Sequence, residues 1–395
     1  MKNLLDQNFE GKKVIVRVDF NVPLDEKFNV VDGSRIKAAL PTINKLLNDK
    51  ARVILMSHLG RPKGKEDKFS LRHVVNYLQE LLGVSVSFSN DCIGPSAKKA
   101  VRKLNNGEVL ILENLRFYKQ EKLADEGFAK QLSDLADVYV NDAFGAAHRN
   151  HASTSTIASF FPSEKYFGLL LKNEVDSLEK ALSSPQKPLT AVIGGAKISG
   201  KIDVITSLLE KVDSLIIGGG MAYTFAKAIG GKTGTSLVEE DRVDLASFII
   251  HKSTELGVKL LLPVDSINAN GFNNDADIKI SNILNIQDSY MGLDIGEESV
   301  CLFSKEIENS KTIIWNGPMG VFEMSNFENG TKKIGEAICK STANGAFSLV
   351  GGGDSVAAIK KFNLEDKVSY ISTGGGAMLE YLEGKELPGV KAILK

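Results

Sequence analysis

Short runs of β-branched and aliphatic residues alternate with amphipathic stretches along almost the whole chain. In the first half the apolar runs are "KKVIVRVDF" (12–20), "ARVILMSH" (51–58), "VSVSF" (84–88), "EVLILEN" (108–114) and "DVYVND" (137–142). In the second half they are "LTAVIGG" (189–195), "SLIIGGG" (214–220), "KLLLPVD" (259–265), "TIIWNGP" (312–318), "FSLVGGG" (347–353) and "VSYIST" (368–373). Segments of helical period, such as 34–49 and 70–82, separate them. Near-continuous apolar strands alternating with helices are the pattern of parallel sheet buried on both faces. The expected fold is α/β: two doubly wound parallel-sheet domains joined by an interdomain helix. A single (β/α)₈ barrel fits poorly, because about eleven strands are predicted and the rhythm breaks near the middle. The break, 167–188, reads as one helix stopped before Pro185, since the residue preceding a proline is pushed out of helical geometry.

Size and charge narrow the picture. A chain of 395 residues is too long for one ordinary core. Its 43% hydrophobic and 25% charged residues are ordinary for a globular protein. A net charge of −1 gives no global field toward nucleic acid or membrane, so any anion site must be local. Cys92, Cys301 and Cys339 form no C-x-x-C pair and read as reduced thiols. No run reaches the ~18 apolar residues of a membrane span, and the N-terminus has no signal-peptide pattern, so a cytoplasmic location is expected. Arginine is distributed unevenly: eight of nine lie at or before Arg149, whereas every glycine cluster that ends a strand lies after residue 190. The two halves are expected to hold anions differently, by guanidinium forks first and by backbone amides second.

Four apolar runs end in glycines: "AVIGGAK" (191–197), "LIIGGGMA" (215–222), "FSLVGGGDS" (347–355) and "YISTGGGAM" (370–378). Glycine admits positive φ and lets a ligand approach the backbone, and a following helix N-terminus favours an anion. One such turn is plain punctuation; four in one half point to phosphate binding. "GAKISGKI" fails as a Walker A loop at Ile202, and "AKAIGGKT" lacks the leading glycine. G-x-G-x-x-G is absent, and "GGGMAY" puts Tyr223 where the third glycine belongs, which disfavours NAD. Asp354 is placed to ligate Mg²⁺ on nucleotide phosphates, or else to cap the following helix, as Ser355 equally well does. Lys197 and Lys201, spaced i, i+4, are expected on one face of a helix starting there, aimed at the glycine turn.

In the first half the notable polar groups follow strands. "RVDFNVP" supplies Arg17, Asp19 and Asn21; "SHLGRP" His58 and Arg61; "LENLRF" Arg116; "DAFGAAHRNHAST" His148, Arg149 and His151. Arg35 in "DGSRI" sits in the first turn of a helix, an unfavourable place for a cation that an intervening anion would relieve. His148 and His151 lack a third nearby ligand and do not suggest metal. Together the set reads as a pocket for a small polyanion.

These motifs, with "GGAKISGKI", "IGGGMA", "MGLDIG", "WNGPMGVFE", "GGGDS" and "STGGGAMLEYLEGKELPGV", run from residue 17 to 390 and closely resemble those of the phosphoglycerate kinase family. The resemblance implies reversible phosphoryl transfer in glycolysis between MgATP and 3-phosphoglycerate, giving 1,3-bisphosphoglycerate and ADP. It implies in-line transfer with domain closure and no general base. Residues 1–170, with a tail of about 384–395 folding back, would bind 3-phosphoglycerate through Asp19, Asn21, Arg35, His58, Arg61, Arg116 and Arg149. Residues 171–184 would be the interdomain helix, and 185–383 the nucleotide domain. In that domain Gly194, Lys201, Gly218, Gly219, Gly292, Asn316, Glu323, Gly352, Gly353, Asp354 and Ser355 would hold nucleotide, with Asp354 on Mg²⁺. Arg35, Lys197 and Gly374 would act on the moving phosphoryl group. The resemblance also implies a monomer with small-molecule substrates only. Asn150 and Met378 depart from the usual alanine and serine, and Gly200 would weaken its expected helix by ~1 kcal/mol. Two rivals stay open. One is a two-lobed anion-binding protein without catalysis; the other is an NAD-dependent dehydrogenase, weakened by the missing fingerprint.

Overall fold

The computed structural model describes residues 3–395, which form two compact units. Residues 3–176 and 386–395 make up the first, and 177–385 the second. The helix Leu169–Leu182 starts in the first unit and ends in the second.

In the first unit β1 (Lys13–Arg17), β2 (Arg52–Met56), β3 (Val86–Ser89), β4 (Val109–Leu112), β5 (Val138–Asn141) and β6 (Lys165–Phe167) form one sheet in the order β3-β4-β2-β1-β5-β6. Every pairing is parallel. Strands β4 and β5 are buried at all positions, which is why they read as unbroken apolar runs. Val14, Val16, Val53, Leu55 and Val109 point to one face and pack on Ile36, Ile43 and Leu46 of the helix Ser34–Asn48. The C-terminal segment belongs to this unit. Gly389 N donates to Ala147 O (2.8 Å), Asn141 Nδ2 to Gly389 O (3.2 Å) and Lys165 Nζ to Ala392 O (3.0 Å).

The second unit begins with β7 (Leu189–Ile193), β8 (Ser214–Ile217), β9 (Lys232–Thr233), β10 (Lys259–Leu261) and β11 (Asp265–Ala269). It continues with β12 (Ile278–Asn282), β13 (Asn285–Ile286), β14 (Met291–Ile295), β15 (Thr312–Asn316), β16 (Phe347–Val350) and β17 (Tyr370–Ile371). The main sheet runs β10-β8-β7-β15-β16-β17, again all parallel. A small antiparallel sheet, β12-β11-β14, and the pair β13-β9 complete the unit.

All eleven strands expected from the sequence are present. The structure adds β6, which completes the first sheet, β9, and the excursion between β10 and β15, none of which was anticipated. The α/β expectation holds: two six-stranded parallel sheets with helices between strands. A local expectation fails. No helix begins after "GGA"; residues 194–201 are turns and the helix is Ile202–Leu209. Lys197 and Lys201 therefore share no helical face, and Gly200, outside the helix with open space around it, costs that helix nothing. The chain turns here because Lys201 is drawn inward to backbone carbonyls, as described below.

Parallel pairing delivers all strand C-termini of a sheet to one edge, and ligands of open α/β sheets bind there. In the first unit this brings the residues after β1, β2, β4 and β5, four adjacent strands, to the same edge. In the second it gathers the turns after β8, β7, β15, β16 and β17.

Candidate active site

The first unit gathers its cations around His58. Arg17 ends β1 with no solvent exposure; its Nη2 lies 3.1 Å from His58 Nδ1, and its Nε donates to Ser153 Oγ at 2.9 Å. Burial holds the His58 imidazolium well below the usual histidine range, and the fields of Arg17, Arg116, Arg149 and Arg35 push the same way. Four arginines thus face one neutral imidazole. His151 is lowered to about 3 by burial and then by Arg17, Arg116 and Arg149. Arg116 is lowered to about 10, first by burial and then by Arg149 and Arg17.

Asp19 offsets part of this charge. Its Oδ2 accepts from Arg35 Nη1 at 2.9 Å. The anion expected beside Arg35, in the first turn of Ser34–Asn48, is thus supplied within the chain. Asn21 Oδ1 accepts from Gly60 N at 2.8 Å, and Arg116 Nη1 donates to Gly60 O at 2.7 Å, so one short loop ties Asn21 to Arg116. Arg116 Nε is buried without a partner in the protein. Arg149 Nε donates to His148 Nε2 at 3.1 Å. Arg61 is exposed on the loop after Gly60. Mutually repelling guanidiniums with an unspent buried donor are stabilised by a polyanion. Arg17 and His151 were among the groups read from the sequence as a polyanion pocket, though outside the set assigned to 3-phosphoglycerate; Glu121 was passed over, because a lone glutamate in "YKQEK" carries no signal.

The second unit holds a cavity of about 500 Å³ at the C-terminal edge of its main sheet. Gly195, Gly219, Gly220, Gly292 and Pro318 form backbone walls; Tyr223, Leu237, Phe272, Met319 and Val321 supply apolar surface; Glu323 and Asp354 stand at its margin. Tyr223 is held by its hydroxyl, 2.8 Å from Ser266 Oγ. Of this apolar wall Met319 and Val321 lie in the quoted motif "WNGPMGVFE", whereas Phe272 was missed because it lies in the antiparallel excursion, beside the exposed edge strand β12 that does not read as sheet core.

The glycines also serve a packing purpose that the sequence does not announce. A Cβ on Gly194 would meet Pro318 O at 2.1 Å, one on Gly218 Met319 Sδ at 2.4 Å, and one on Gly292 the Tyr223 hydroxyl at 2.0 Å. Gly219, at φ +68°, presses against Gly195 N. The amides of Gly194, Gly195 and Gly219 donate to Asn316 O, Pro318 O and Met319 O at 2.9–3.1 Å. Three turns are thus laced backbone to backbone, and those amides are spent. Gly374 is buried and its amide donates to Ser372 Oγ at 3.1 Å, so it offers no free donor either. Open amides belong instead to the first turn of the helix Gly353–Lys361, whose N–H groups have no intrahelical acceptor. Its N-cap is Gly352 at φ +91°, so neither Asp354 nor Ser355 is the cap. Asp354 is exposed in the first turn, and Ser355 Oγ is buried, accepting from Gly317 N at 2.5 Å.

Lys201 lies beneath the turns. Its Nζ donates to Gly194 O (2.7 Å), Asn316 O (2.8 Å) and Asn316 Oδ1 (2.6 Å). Burial lowers it to about 8, and the field of Asp354 raises it in part. Asn316 Nδ2 donates to Gly351 O at 2.9 Å, so one carboxamide joins Lys201 to the turn that carries Gly352 and Gly353. Lys197 is exposed, and its charge helps hold Glu239 below the usual carboxylate range.

Two parallel α/β units, one with an arginine cluster and the other with an apolar cavity beside a helix N-terminus and a buried lysine, define a phosphotransferase of the kinase class. Comparison with known proteins supplies the family. The model of the family described as phosphoglycerate kinase matches residues 4–385. The chain is 53% identical to "Phosphoglycerate kinase" of Porphyromonas gingivalis, over 98% of each chain. It is 52% identical to "Phosphoglycerate kinase, cytosolic" of Nicotiana tabacum, over 99% of this chain and 97% of the relative. The solved phosphoglycerate kinase of Coxiella burnetii superposes with a TM-score of 0.91 at 41% identity, covering 100% of this chain and 98% of that one. The chain belongs to the phosphoglycerate kinase family, and it is an enzyme.

Gly317→Ala tests the lacing of the turns. Gly317 has φ +104°, and a Cβ there would lie 2.2 Å from Gly194 O and 2.6 Å from Lys201 Nζ. The expected loss is about 2–4 kcal/mol of second-unit stability, from strain and overpacking together. Urea unfolding followed by fluorescence of the single tryptophan, Trp315, whose Nε1 donates to Gly317 O, reads it directly. An unchanged midpoint would show that these turns have slack.

Proposed function

We propose that the first unit binds 3-phosphoglycerate and the second MgATP, and that the enzyme moves the γ-phosphoryl group to the bound carboxylate. The observation that carries this reading is the arginine cluster around His58, which the protein's own carboxylates neutralise only in part. Asp19, Asn21, Arg35, His58, Arg61, Arg116 and Arg149 receive the phosphorylated acid, the guanidiniums matching its oxygens in bidentate fashion. The apolar cavity takes the base, with Gly292 and the Gly218–Gly219 turn as its walls and Glu323 toward the ribose. Lys201, Asn316, Gly352, Gly353 and Ser355 meet or shape the phosphate end. Gly194 contributes its carbonyl to Lys201.

The donor set suits Mg²⁺. Among the described residues no group of three or more His, Cys, Asp or Glu side chains is arranged for a metal. Mg²⁺ is commonly held by one or two carboxylates plus substrate phosphates and water, and Asp354, exposed beside the cavity, is such a carboxylate. The ion neutralises charge on the phosphate oxygens when bound. The acceptor carboxylate, with a pKa of about 4, is already ionised, so the chain needs no general base. Its residues orient the two reactants and offset charge on the transferring group. Arg35 and Lys197 supply that charge, and Gly374 shapes the turn after β17. Contact between the acceptor and the γ-phosphorus requires the two ligands to meet, so closure of the units accompanies catalysis and excludes water. In this reading the enzyme works as a monomer, in the cytoplasm as the name of the Nicotiana tabacum relative has it. Separately, no described helix is long and apolar enough to cross a membrane.

A coupled assay with 3-phosphoglycerate and MgATP, with nicotinamide cofactors in parallel, tests the reading. Turnover is expected with the first pair alone; absence of turnover, with tight anion binding retained, would favour the non-catalytic rival. Arg35→Ala is expected to lower kcat by roughly 10²–10³ with little change in nucleotide affinity. Near-normal turnover would remove Arg35 from the chemistry. Small-angle scattering with both substrates should give a smaller radius of gyration than the free protein, and an unchanged radius would argue against closure.

Lys201 sets a pH dependence. Below about 8 it is charged and attracts phosphate. Above that value it is neutral in the free protein, and binding must recapture a proton. Nucleotide affinity is therefore expected to fall as pH rises through about 8, with proton uptake visible by calorimetry in buffers of different ionisation enthalpy. Lys201→Met should bind weakly and lose this dependence. A wild-type affinity constant from pH 7 to pH 9 would contradict the role.

A further inference from the structure

We propose that Arg17 is a positioning residue that fixes the tautomer of His58, making its Nε2–H a fixed donor toward an anion held by the arginine cluster. The inference rests on the reading of that cluster as the 3-phosphoglycerate site, and it concerns a residue with no place in that binding set.

The direction of each hydrogen bond is forced by chemistry. A guanidinium only donates, so His58 Nδ1, 3.1 Å from Arg17 Nη2, must accept, and the ring proton resides on Nε2. The other end is equally constrained. A carboxylate only accepts, so Ser153 Oγ donates its single proton to Glu121 Oε1 (2.6 Å) and is left to accept from Arg17 Nε (2.9 Å). Ser153 N adds a bond to Glu121 Oε2 at 3.0 Å. Arg17 Nη1 is tied to the carbonyl of Val18. The whole chain Glu121, Ser153, Arg17, His58 is buried: Arg17, Glu121 and Ser153 have no exposure and His58 4%. Glu121 thus balances the buried Arg17 charge through one hydroxyl, and the guanidinium plane cannot turn away from the imidazole.

The alternative tautomer has a partner waiting. Asp19 Oδ1 is 4.0 Å from His58 Nδ1, too far for a hydrogen bond but a small ring rotation away. Without Arg17, Nδ1 would take the proton and turn to Asp19. Nε2 would then be a lone pair facing an anionic ligand, exchanging an attraction for a repulsion. Arg17 decides this competition because it is nearer and already charged. The groups that face His58 are Arg17, Arg35, Arg116 and Arg149 on the cationic side and Asp19 on the anionic side.

The test is ¹⁵N NMR of the five histidine rings, with His58 assigned through His58→Gln. The wild type should show a pyridine-type Nδ1 and a pyrrole-type Nε2 for His58, unchanged as pH falls from 8 to about 5.5. Arg17→Met should reverse the two or mix them. It should also raise the KM for 3-phosphoglycerate about tenfold or more, with the KM for nucleotide unmoved. A merely structural role would lower thermal stability without changing the tautomer. A protonated Nδ1 in the wild type overturns the proposal, and that measurement stands even if Arg17→Met does not fold. A folded Arg17→Met that keeps the Nε2–H tautomer overturns it too. Absence of turnover with 3-phosphoglycerate in a wild type with the expected tautomer would instead count against the functional reading.

Discussion

Parallel strand pairing is the constraint from which the rest of this structure follows. It sends every strand of a sheet to the same edge, so residues far apart in sequence arrive side by side. Arg17, His58, Arg116 and Arg149 are separated by up to 132 residues, yet they lie at or beyond the ends of four adjacent strands, β1, β2, β4 and β5. The turns at 194, 218, 317 and 352 converge in the same way on the second sheet. Neither cluster needs a long loop to reach it. The scaffold is rigid, with strand interiors almost wholly buried, which is what holding charged groups at fixed separation demands.

That rigidity has an electrostatic cost, and the two units meet it in different ways. The first places four guanidiniums near one imidazole and offsets them with Asp19 and Glu121. The second buries a lysine and surrounds it with neutral carbonyl oxygens. Both arrangements leave positive charge short of counter-charge. Such a surface is less stable empty than occupied, and an anionic ligand recovers the difference as binding energy.

Much of this was legible in the sequence. Apolar runs such as "EVLILEN" and "SLIIGGG" announced buried parallel strands, and the ends of those runs marked the functional edge. The excursion between β10 and β15 was not legible. β12 is mostly exposed and β9 and β13 have two residues each, so no period of hydrophobicity marks them. Phe272 and the apolar wall were lost with it. The glycines were recognised, but the packing that also requires them was not. Spacing shows that a turn is tight; it does not show that a Cβ on Gly194 or Gly219 would meet another backbone. The same limit applies to Lys201, whose turn away from a helical course is set by tertiary acceptors on Asn316 and Gly194.

The choice of arginine in one unit and lysine in the other is physical as well as positional. A buried guanidinium keeps its charge at any physiological pH, because its ordinary pKa lies so far above neutrality that even Arg116 falls only to about 10. It suits a site that must present fixed positive charge and direct a neighbouring imidazole. A buried ammonium comes close to losing its proton, as Lys201 does at about 8. Its three protons are already shared among carbonyl oxygens, so in the proposed reading a phosphate oxygen would displace one of them. The bond to Asn316 Oδ1 is the one a side-chain rotation can release, and that carboxamide is also bound to Gly351 O. Lys201 and the turn that opens the helix Gly353–Lys361 are therefore linked through Asn316. A charged group and the backbone are joined through a single amide in the second unit, and a single guanidinium joins His58 to Ser153 in the first.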